Sequence, residues 1–229
     1  MCLASGPWLK KAARRYAMRI FARTAAIALT LVVGCASPLP PIATEREFTR
    51  WAAADEARGA SFARFEEMLR REGVGDVLPA YDLWIVDRLE ARCVQAPFVA
   101  PPEEQWPNIV ATLRFIRDHV EPAIGEVRAV SAFRDEAFNT CIGGAPGSAH
   151  RQFIAVDLVP ADPLVTRARL IEILCAVHTR EGPAFDVGLG IYSRRRFHID
   201  TRGYRGWGAN HRATSFPCSA EPPSRREAP

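Results

Sequence analysis

The chain has 229 residues, of which 48% are hydrophobic and 24% charged, and its formal net charge is +4. This length suits one globular domain with tails and provides enough apolar residues for a buried core. The excess positive charge lies at the N-terminus, since residues 1–35 contain six of the 30 basic side chains and no acidic ones. The other 24 basic side chains nearly balance the 26 acidic ones, and no basic face with interleaved aromatic residues is evident. The composition therefore argues against a nucleic-acid partner.

Residues 1–35 have the organisation of a secretory signal: a basic segment, a ten-residue apolar run from Thr24 to Val33, and small residues after it. This run is about half as long as a membrane-spanning helix requires. It leads into Gly34-Cys35-Ala36-Ser37, which resembles a bacterial lipobox with Cys35 as the lipid-modified first residue. We expect an exported, periplasmic protein that contacts the membrane only through a lipid anchor. Ordinary signal cleavage nearby, with Cys35 incidental, is the alternative.

Four cysteines remain outside the leader, at positions 93, 141, 175 and 218. An even number in an oxidising compartment favours two disulfides, for which three pairings are possible. None of the four belongs to a Cys-x-x-Cys pair, so the sequence does not support a thiolate zinc site or a redox motif. A buried free thiol remains an alternative for Cys175, which lies in a helical pattern.

The first half of the mature chain is predicted to be helical. After a proline-rich tether over residues 36–43, Thr44 and Glu47 can form the capping box of a first helix. A second helix is predicted from about Ser61 to Arg71. A third is predicted from about Pro107 to Val120, with the proline in its first turn.

The second half changes to short strands with alternating apolar residues, predicted at 126–133, 153–158, 187–192 and 197–201. A helix from about Leu164 to Arg180 separates the second strand from the third. This order predicts an α+β fold in which N-terminal helices pack on a small, mainly antiparallel sheet. We expect a single domain over residues 44–218 and a disordered tail over 219–229, which is rich in proline, serine and charge.

One segment combines a histidine and an aspartate in a way that indicates a metal site. His150 lies in a glycine-rich loop, and Asp157 lies at the end of the predicted strand that follows. A loop that turns back over its strand brings the two side chains together, and His198 on a later strand can supply a third ligand. Two histidines and a carboxylate leave one position of zinc open for water, as in catalytic zinc sites. A histidine–aspartate pair is nevertheless more often a surface feature or a local hydrogen bond, which is the alternative.

Three motifs resemble, in the same order, those of the zinc D-Ala-D-Ala carboxypeptidase family, part of the lysostaphin/D,D-peptidase/hedgehog-like group of metallopeptidases. The resemblance covers about residues 94–212. The motifs are Ser131-Ala132-Phe133-Arg134-Asp135-x-x-x-Asn139, Ser148-x-His150-x-x-x-x-Ala155-x-Asp157 and His198-Ile199-Asp200-Thr201-Arg202-Gly203.

The resemblance implies that His150, Asp157 and His198 bind Zn²⁺. It also implies hydrolysis of D-amino-acid peptide bonds in the peptide stems of peptidoglycan, by a D,D-carboxypeptidase or a related endopeptidase. Arg134 is expected to steady a carbonyl or carboxylate of the substrate, as a fixed positive charge can. Ser148 is expected to form a hydrogen bond within the loop or with the substrate.

Asp200 follows the last of these ligands by two residues, so both side chains point to the same face of the strand. We expect Asp200 to take part in catalysis, either as a base or by orienting an imidazole or a water. An outward salt bridge with Arg202 is the alternative interpretation.

Two positions depart from the family pattern. Phe153 replaces a glycine, so we expect a backbone that is compatible with a side chain there and a narrower pocket. Arg195 lies three residues before the last ligand, where many members carry a glutamate as the general base, and an arginine cannot accept a proton at working pH. The remaining candidates for the base are Asp200, Glu181, Asp186, His178 and His211. A zinc-binding, wall-associated module without efficient catalysis is therefore a second hypothesis, and a structural envelope lipoprotein without a metal is a third.

Overall fold

The computed structural model of the chain describes residues 44–219. The predicted leader with its lipidation site Cys35, the tether over 36–43 and residues 220–229 of the tail lie outside this range and stay predictions. Within the described residues, no helix combines the length and the apolar character needed to cross a membrane.

Two helices open the described chain, with α1 at Glu45–Ala53 and α2 at Glu56–Arg71. The predicted capping box is confirmed: the hydroxyl of Thr44 accepts the N–H of Glu47, and the carboxylate of Glu47 accepts the N–H of Thr44. The second helix begins five residues earlier than predicted. The reason is Asp55, whose carboxylate caps the first turn.

The third predicted helix contains three kinds of helical turn. A 3-10 segment at Glu103–Ile109 leads into α3 at Val110–Phe115, a π turn at Ile116–Val120 and α4 at Glu121–Ile124. Pro107 therefore lies in the 3-10 segment before α3, and its predicted place in the first α-helical turn was wrong. The carbonyl of Pro107 accepts the N–H of Val110 at the end of this segment.

Within the described residues, five strands form one sheet in the order β1-β2-β4-β3-β5. The strands are Val127–Ser131 (β1), Ala155–Pro160 (β2), Gly188–Ile191 (β3), Phe197–Asp200 (β4) and Arg205–Trp207 (β5). The first four pair antiparallel, and β5 lies parallel to β3. The predicted α+β fold with a mainly antiparallel sheet is thus confirmed. The short β5 escaped prediction because its three residues show no apolar alternation.

Two further helices flank the sheet, with α5 at Glu136–Cys141 after β1 and α6 at Arg167–Glu181 between β2 and β3. One face of the sheet joins the main apolar core, which also contains buried residues of α3 and α6. The buried side chains of β2 and β4 on this face are Val156, Leu158, Phe197 and Ile199. The polar residues of β2 and β4 lie on the opposite face.

Two disulfides link distant parts of the chain, Cys93–Cys141 and Cys175–Cys218. The expectation of two disulfides is confirmed, and the alternative of a free thiol at Cys175 was wrong. The first bridge joins a 3-10 segment at Arg88–Cys93 to α5, across a sequence separation of 48 residues. Loops of this length make a disulfide worth about 2–4 kcal/mol of stability. The bridge therefore fixes the segment Arg88–Cys93 against α5.

Candidate metal centre

The polar site lies on one row of cross-strand neighbours. Asp157 on β2 faces His198 on β4, and Ser131 on β1 is the neighbour of Asp157 on its other side. His198 in turn faces Gly190 on β3, which neighbours Trp207 on β5. Directly opposed residues point to the same face of a sheet. The row therefore gathers these residues on the face opposite the core.

His150 reaches this row from the loop before β2. It lies in a short 3-10 turn, Ala149–Gln152, and its carbonyl accepts the N–H of Arg134 at 3.1 Å. Ser148 begins the turn, although its hydroxyl does not cap it. Phe153 ends the turn with a φ of 52°, which reverses the chain into β2.

Phe153 adopts a left-handed conformation that favours glycine, the residue of the family pattern. Its ring is fully buried, with its centroid 6.0 Å from that of Phe65 and 6.2 Å from that of Phe133. The left-handed backbone costs about 1–2 kcal/mol. Truncation of a buried phenylalanine costs about 3–5 kcal/mol, so the packing outweighs the strain. The side chain fills the core and does not narrow the site.

Three donor atoms converge on the polar face: Nε2 of His150, Oδ1 of Asp157 and Nδ1 of His198, which we call the donor triangle. The two nitrogens lie 3.1 Å apart, and Oδ1 lies 3.3 Å from Nε2 of His150 and 2.9 Å from Nδ1 of His198. All three side chains are buried. Ligands of a tetrahedral zinc ion, bound at about 2.0–2.1 Å, are separated by about 3.3 Å. The donor triangle therefore has the size of one face of such a site.

Hydrogen bonds behind the two rings fix which nitrogen faces the donor triangle. Nδ1 of His150 donates to the carbonyl of Ala132 at 2.6 Å, and Nε2 of His198 donates to Oδ2 of Asp200 at 2.7 Å. In neutral imidazoles these bonds leave lone pairs on the two nitrogens of the donor triangle. A proton on Nδ1 of His198 would join only this nitrogen to Oδ1 of Asp157, whereas a metal ion between the three atoms would bind all of them at once. The residues therefore fit a metal such as zinc.

The two imidazoles differ in their affinity for a proton. Burial and the nearby Arg134 lower the pKa of His150 to about 4, which keeps this ring neutral at pH 7. Burial also opposes a charge on His198, but hydrogen bonds with Asp157 and Asp200 outweigh it and raise its pKa. A proton on His198 competes with a metal ion for Nδ1, so metal binding is expected to weaken as the pH falls.

Two arginines hold the other oxygen of Asp157. Nη2 of Arg134 donates to Oδ2 at 2.7 Å, and Nη2 of Arg196 donates to the same oxygen at 2.5 Å. Burial opposes ionisation of Asp157, but His150 and the two guanidinium groups outweigh it and hold its pKa well below the usual range. Oδ1 is thereby left as the single oxygen for a metal. Arg134 was expected to contact the substrate. One of its nitrogens donates to Asp157, a proposed metal ligand.

The sequence motifs did not single out Arg196. It lies in a run of three arginines, two residues before His198. Strand alternation could have identified it, because residues two apart share a face. By the same rule, the side chain of Arg195 points away from the site. Its Nη1 donates to the carbonyl of Asp162 at 2.6 Å.

Asp200 is fully buried, and both of its oxygens are engaged. Its carboxylate accepts hydrogen bonds from Nε2 of His198, from both terminal nitrogens of Arg205 and from the backbone N–H of Arg202. Burial opposes the charge, but the bonds from His198 and Arg205 outweigh it and lower the pKa of Asp200 to about 2. Asp200 lies behind the ring of His198, where it orients the imidazole and cannot reach a group in front of the donor triangle.

Three other candidates for the base lie outside the row. Nε2 of His178 donates to the carbonyl of Val187 at 3.0 Å, which explains this histidine as a structural residue. Glu181 pairs with Arg180. Asp186 is exposed and ends a 3-10 turn at the start of the chain segment that leads into β3.

His211 contacts a residue next to the end of β3. It is exposed and has a φ of 60°, in a turn where its N–H donates to the carbonyl of Gly208 at 2.9 Å. Its ring centroid lies 5.4 Å from that of Tyr192, which follows β3. Burial and the charge of Asp157 raise the pKa of Tyr192, so its hydroxyl stays protonated at neutral pH. Among the residues that the structure describes, none forms a hydrogen bond with the His211 ring.

The strand β3 presents only glycines to the polar face, at Gly188 and Gly190. Across Gly188, Arg205 of β5 reaches Asp200 of β4, and a Cβ at Gly188 would lie 2.7 Å from Nη1 of Arg205 and from Oδ2 of Asp200. Across Gly190, the ring of Trp207 lies 4.9 Å from the imidazole on β4. These two glycines therefore let β5 support the residues of β4.

Comparison with known proteins agrees with this geometry. A family model described as Peptidase M15 matches residues 86–200, which is just over half of the chain and includes all three residues of the donor triangle. The chain belongs to the peptidase M15 family. The predicted membership of the zinc D-Ala-D-Ala carboxypeptidase family is thus confirmed, and this family consists of metallopeptidases that typically use zinc. No curated protein and no solved structure matched the chain.

The substitution Gly188→Ala is expected to separate Asp200 from Arg205, because the added methyl group would occupy the space between them. Arg205 is partly exposed, so we expect a moderate loss of about 1–3 kcal/mol in the free energy of unfolding, measured by urea denaturation. Gly59→Ala is the control, since Gly59 lies inside α2 with no neighbouring atom within 4 Å and should gain up to about 1 kcal/mol. Equal stability of Gly188→Ala and the wild type would contradict this account.

Proposed function

We propose that this protein is a zinc-dependent peptidase that hydrolyses D-amino-acid peptide bonds in the peptide stems of peptidoglycan, as a D,D-carboxypeptidase or a related endopeptidase. The donor triangle carries the proposal, because three protein ligands leave one position of a tetrahedral zinc ion open to water or substrate. Family membership supports peptide hydrolysis. The predicted export and the predicted anchor at Cys35 support an envelope location beside peptidoglycan.

Each part of the site has a role in this proposal. When bound to the donor triangle, zinc would acidify a water and polarise a carbonyl. The carbonyl of Ala132 and the carboxylate of Asp200 hold the two imidazoles in the tautomers that such binding needs. Arg134 and Arg196 keep the aspartate ionised and restrict it to one ligand oxygen.

The substrate would meet side chains at the edge of the donor triangle. Nη1 of Arg134 forms no hydrogen bond with any described residue, which leaves it available for a carbonyl or carboxylate of the substrate. The protonated hydroxyl of Tyr192 is a second donor on this side. Ser148, at the start of the turn that carries His150, could contribute a third.

We assign the role of proton acceptor to Nδ1 or Nε2 of His211. Asp200, Glu181 and His178 are engaged in the contacts described above. His211 is exposed beside Tyr192, and its ring has no other partner among the described residues. It can therefore take up a proton without losing an existing hydrogen bond.

One observation favours a second candidate function, a zinc-binding wall-associated module without efficient catalysis. Arg195 occupies the place of the usual glutamate, and its guanidinium binds the carbonyl of Asp162 away from the donor triangle. If no other side chain replaces the glutamate, the site would bind metal and substrate but turn over slowly.

The proposed activity is tested with the zinc-loaded protein and a peptide that ends in D-Ala-D-Ala, with release of D-alanine as the measurement. We expect cleavage that stops when a chelator is added and returns with zinc. His150→Ala should lower the rate by at least about a thousand-fold, as loss of a member of a catalytic unit does. A peptide ending in L-Ala-L-Ala is the control for stereochemistry.

Full activity of His150→Ala would contradict a metallopeptidase mechanism. Zinc binding with no turnover of the D-Ala-D-Ala peptide or of purified muropeptides would instead favour the binding module.

His211→Ala is expected to lower kcat by about 10²–10⁴-fold, the usual contribution of a positioned base. Zinc content should be unchanged, because His211 is not part of the donor triangle. The control is His119→Ala. His119 lies on the π turn, where it faces Glu181, and its loss should leave kcat unchanged. An unaltered kcat for His211→Ala would exclude this histidine as the base.

A further inference from the structure

Arg196 is shared between two carboxylates. Its Nη2 lies 2.5 Å from Oδ2 of Asp157 and also 2.5 Å from Oδ2 of Asp87. The side chains of Arg196 and Asp87 are 12% and 7% exposed, so this contact is largely shielded from water. Asp87 is distant in sequence, 109 residues before its partner.

The other oxygen of Asp87 has a second task. Oδ1 accepts the N–H of Leu89 at 3.0 Å and so caps the 3-10 segment Arg88–Cys93. The disulfide Cys93–Cys141 then ties this segment to α5, which begins just after Arg134. The two arginines that hold Asp157 are therefore supported by one covalently linked part of the fold.

Charge explains why a second carboxylate is needed. Asp157 with Arg134 and Arg196 carries a net positive charge, and this charge lies next to the place where a divalent cation would bind. Charges in a buried site are weakly screened, so an uncompensated arginine there would oppose metal binding. Asp87 makes the group of four side chains neutral.

We infer that Asp87 is a positioning residue of the metal site: its carboxylate offsets the charge of Arg196 and holds that guanidinium on Oδ2 of Asp157, so that the donor triangle can accept a divalent cation. This inference rests on the metal site of the proposed function. It adds a residue that acts on the donor triangle through Arg196.

The substitution Asp87→Asn tests the inference, because asparagine has the same shape and can still accept the N–H of Leu89 but leaves Arg196 uncompensated. We expect the dissociation constant for zinc, measured by competition with a chelating dye, to rise by about 10–100-fold, the usual effect of losing a partner behind a metal ligand. The additional change Arg196→Met removes the uncompensated charge. The double variant should therefore bind zinc more tightly than Asp87→Asn, as expected for coupled neighbours, although less tightly than the wild type because Arg196 no longer holds Oδ2 of Asp157.

Arg195→Met is the matched control, since this adjacent arginine points away from the site and should leave zinc affinity unchanged. The melting temperature of each variant without metal shows whether it folds. If Asp87→Asn does not fold, Asp87→Glu and Asp87→Gln provide a second pair of equal shape that differs in charge. Only the glutamate variant is then expected to keep an affinity near that of the wild type.

Wild-type affinity in Asp87→Asn, or equally weak binding in the single and double variants, would overturn the inference. Failure of the metal site itself gives a different result: the wild-type protein would bind no zinc, or His150→Ala would bind it as tightly as the wild type.

Discussion

The buried carboxylate of Asp157 is the group on which the rest of the site depends. A charge with no exposure to water is costly unless hydrogen bonds and opposite charges compensate for it. Here the compensation is divided between the two oxygens. Oδ2 accepts hydrogen bonds from two arginines, and Oδ1 remains for the donor triangle. This division keeps the aspartate ionised and also determines where a metal can bind.

The sheet places these groups by simple register. Asp157 and His198 are directly opposed on neighbouring strands, so a one-residue shift would move one of them to the apolar face. Gly188 of β3 then lets Arg205 reach Asp200, and Asp200 fixes the imidazole of His198 from behind. Export remains a prediction, but both disulfides are of the kind found in oxidising compartments.

Local sequence patterns were sufficient to predict the α+β fold, the capping box at Thr44 and the approximate places of four strands. The proximity of His150, Asp157 and His198 followed from the motif resemblance and from strand alternation. Contacts between distant segments could not be read from the sequence: no pattern links Asp87 to Arg196, and β5 is too short to show a period. Arg134 was expected at the substrate, and the structure shows it bonded to Asp157, because only the fold reveals which partner lies within reach.

The central claim is that one zinc ion binds Nε2 of His150, Oδ1 of Asp157 and Nδ1 of His198. Anomalous diffraction at the zinc absorption edge, on crystals of the zinc-loaded protein, tests it most directly. One strong peak about 2.0–2.2 Å from all three atoms is expected. A peak elsewhere, or one bound through Nε2 of His198 with Asp200 displaced, would contradict the account.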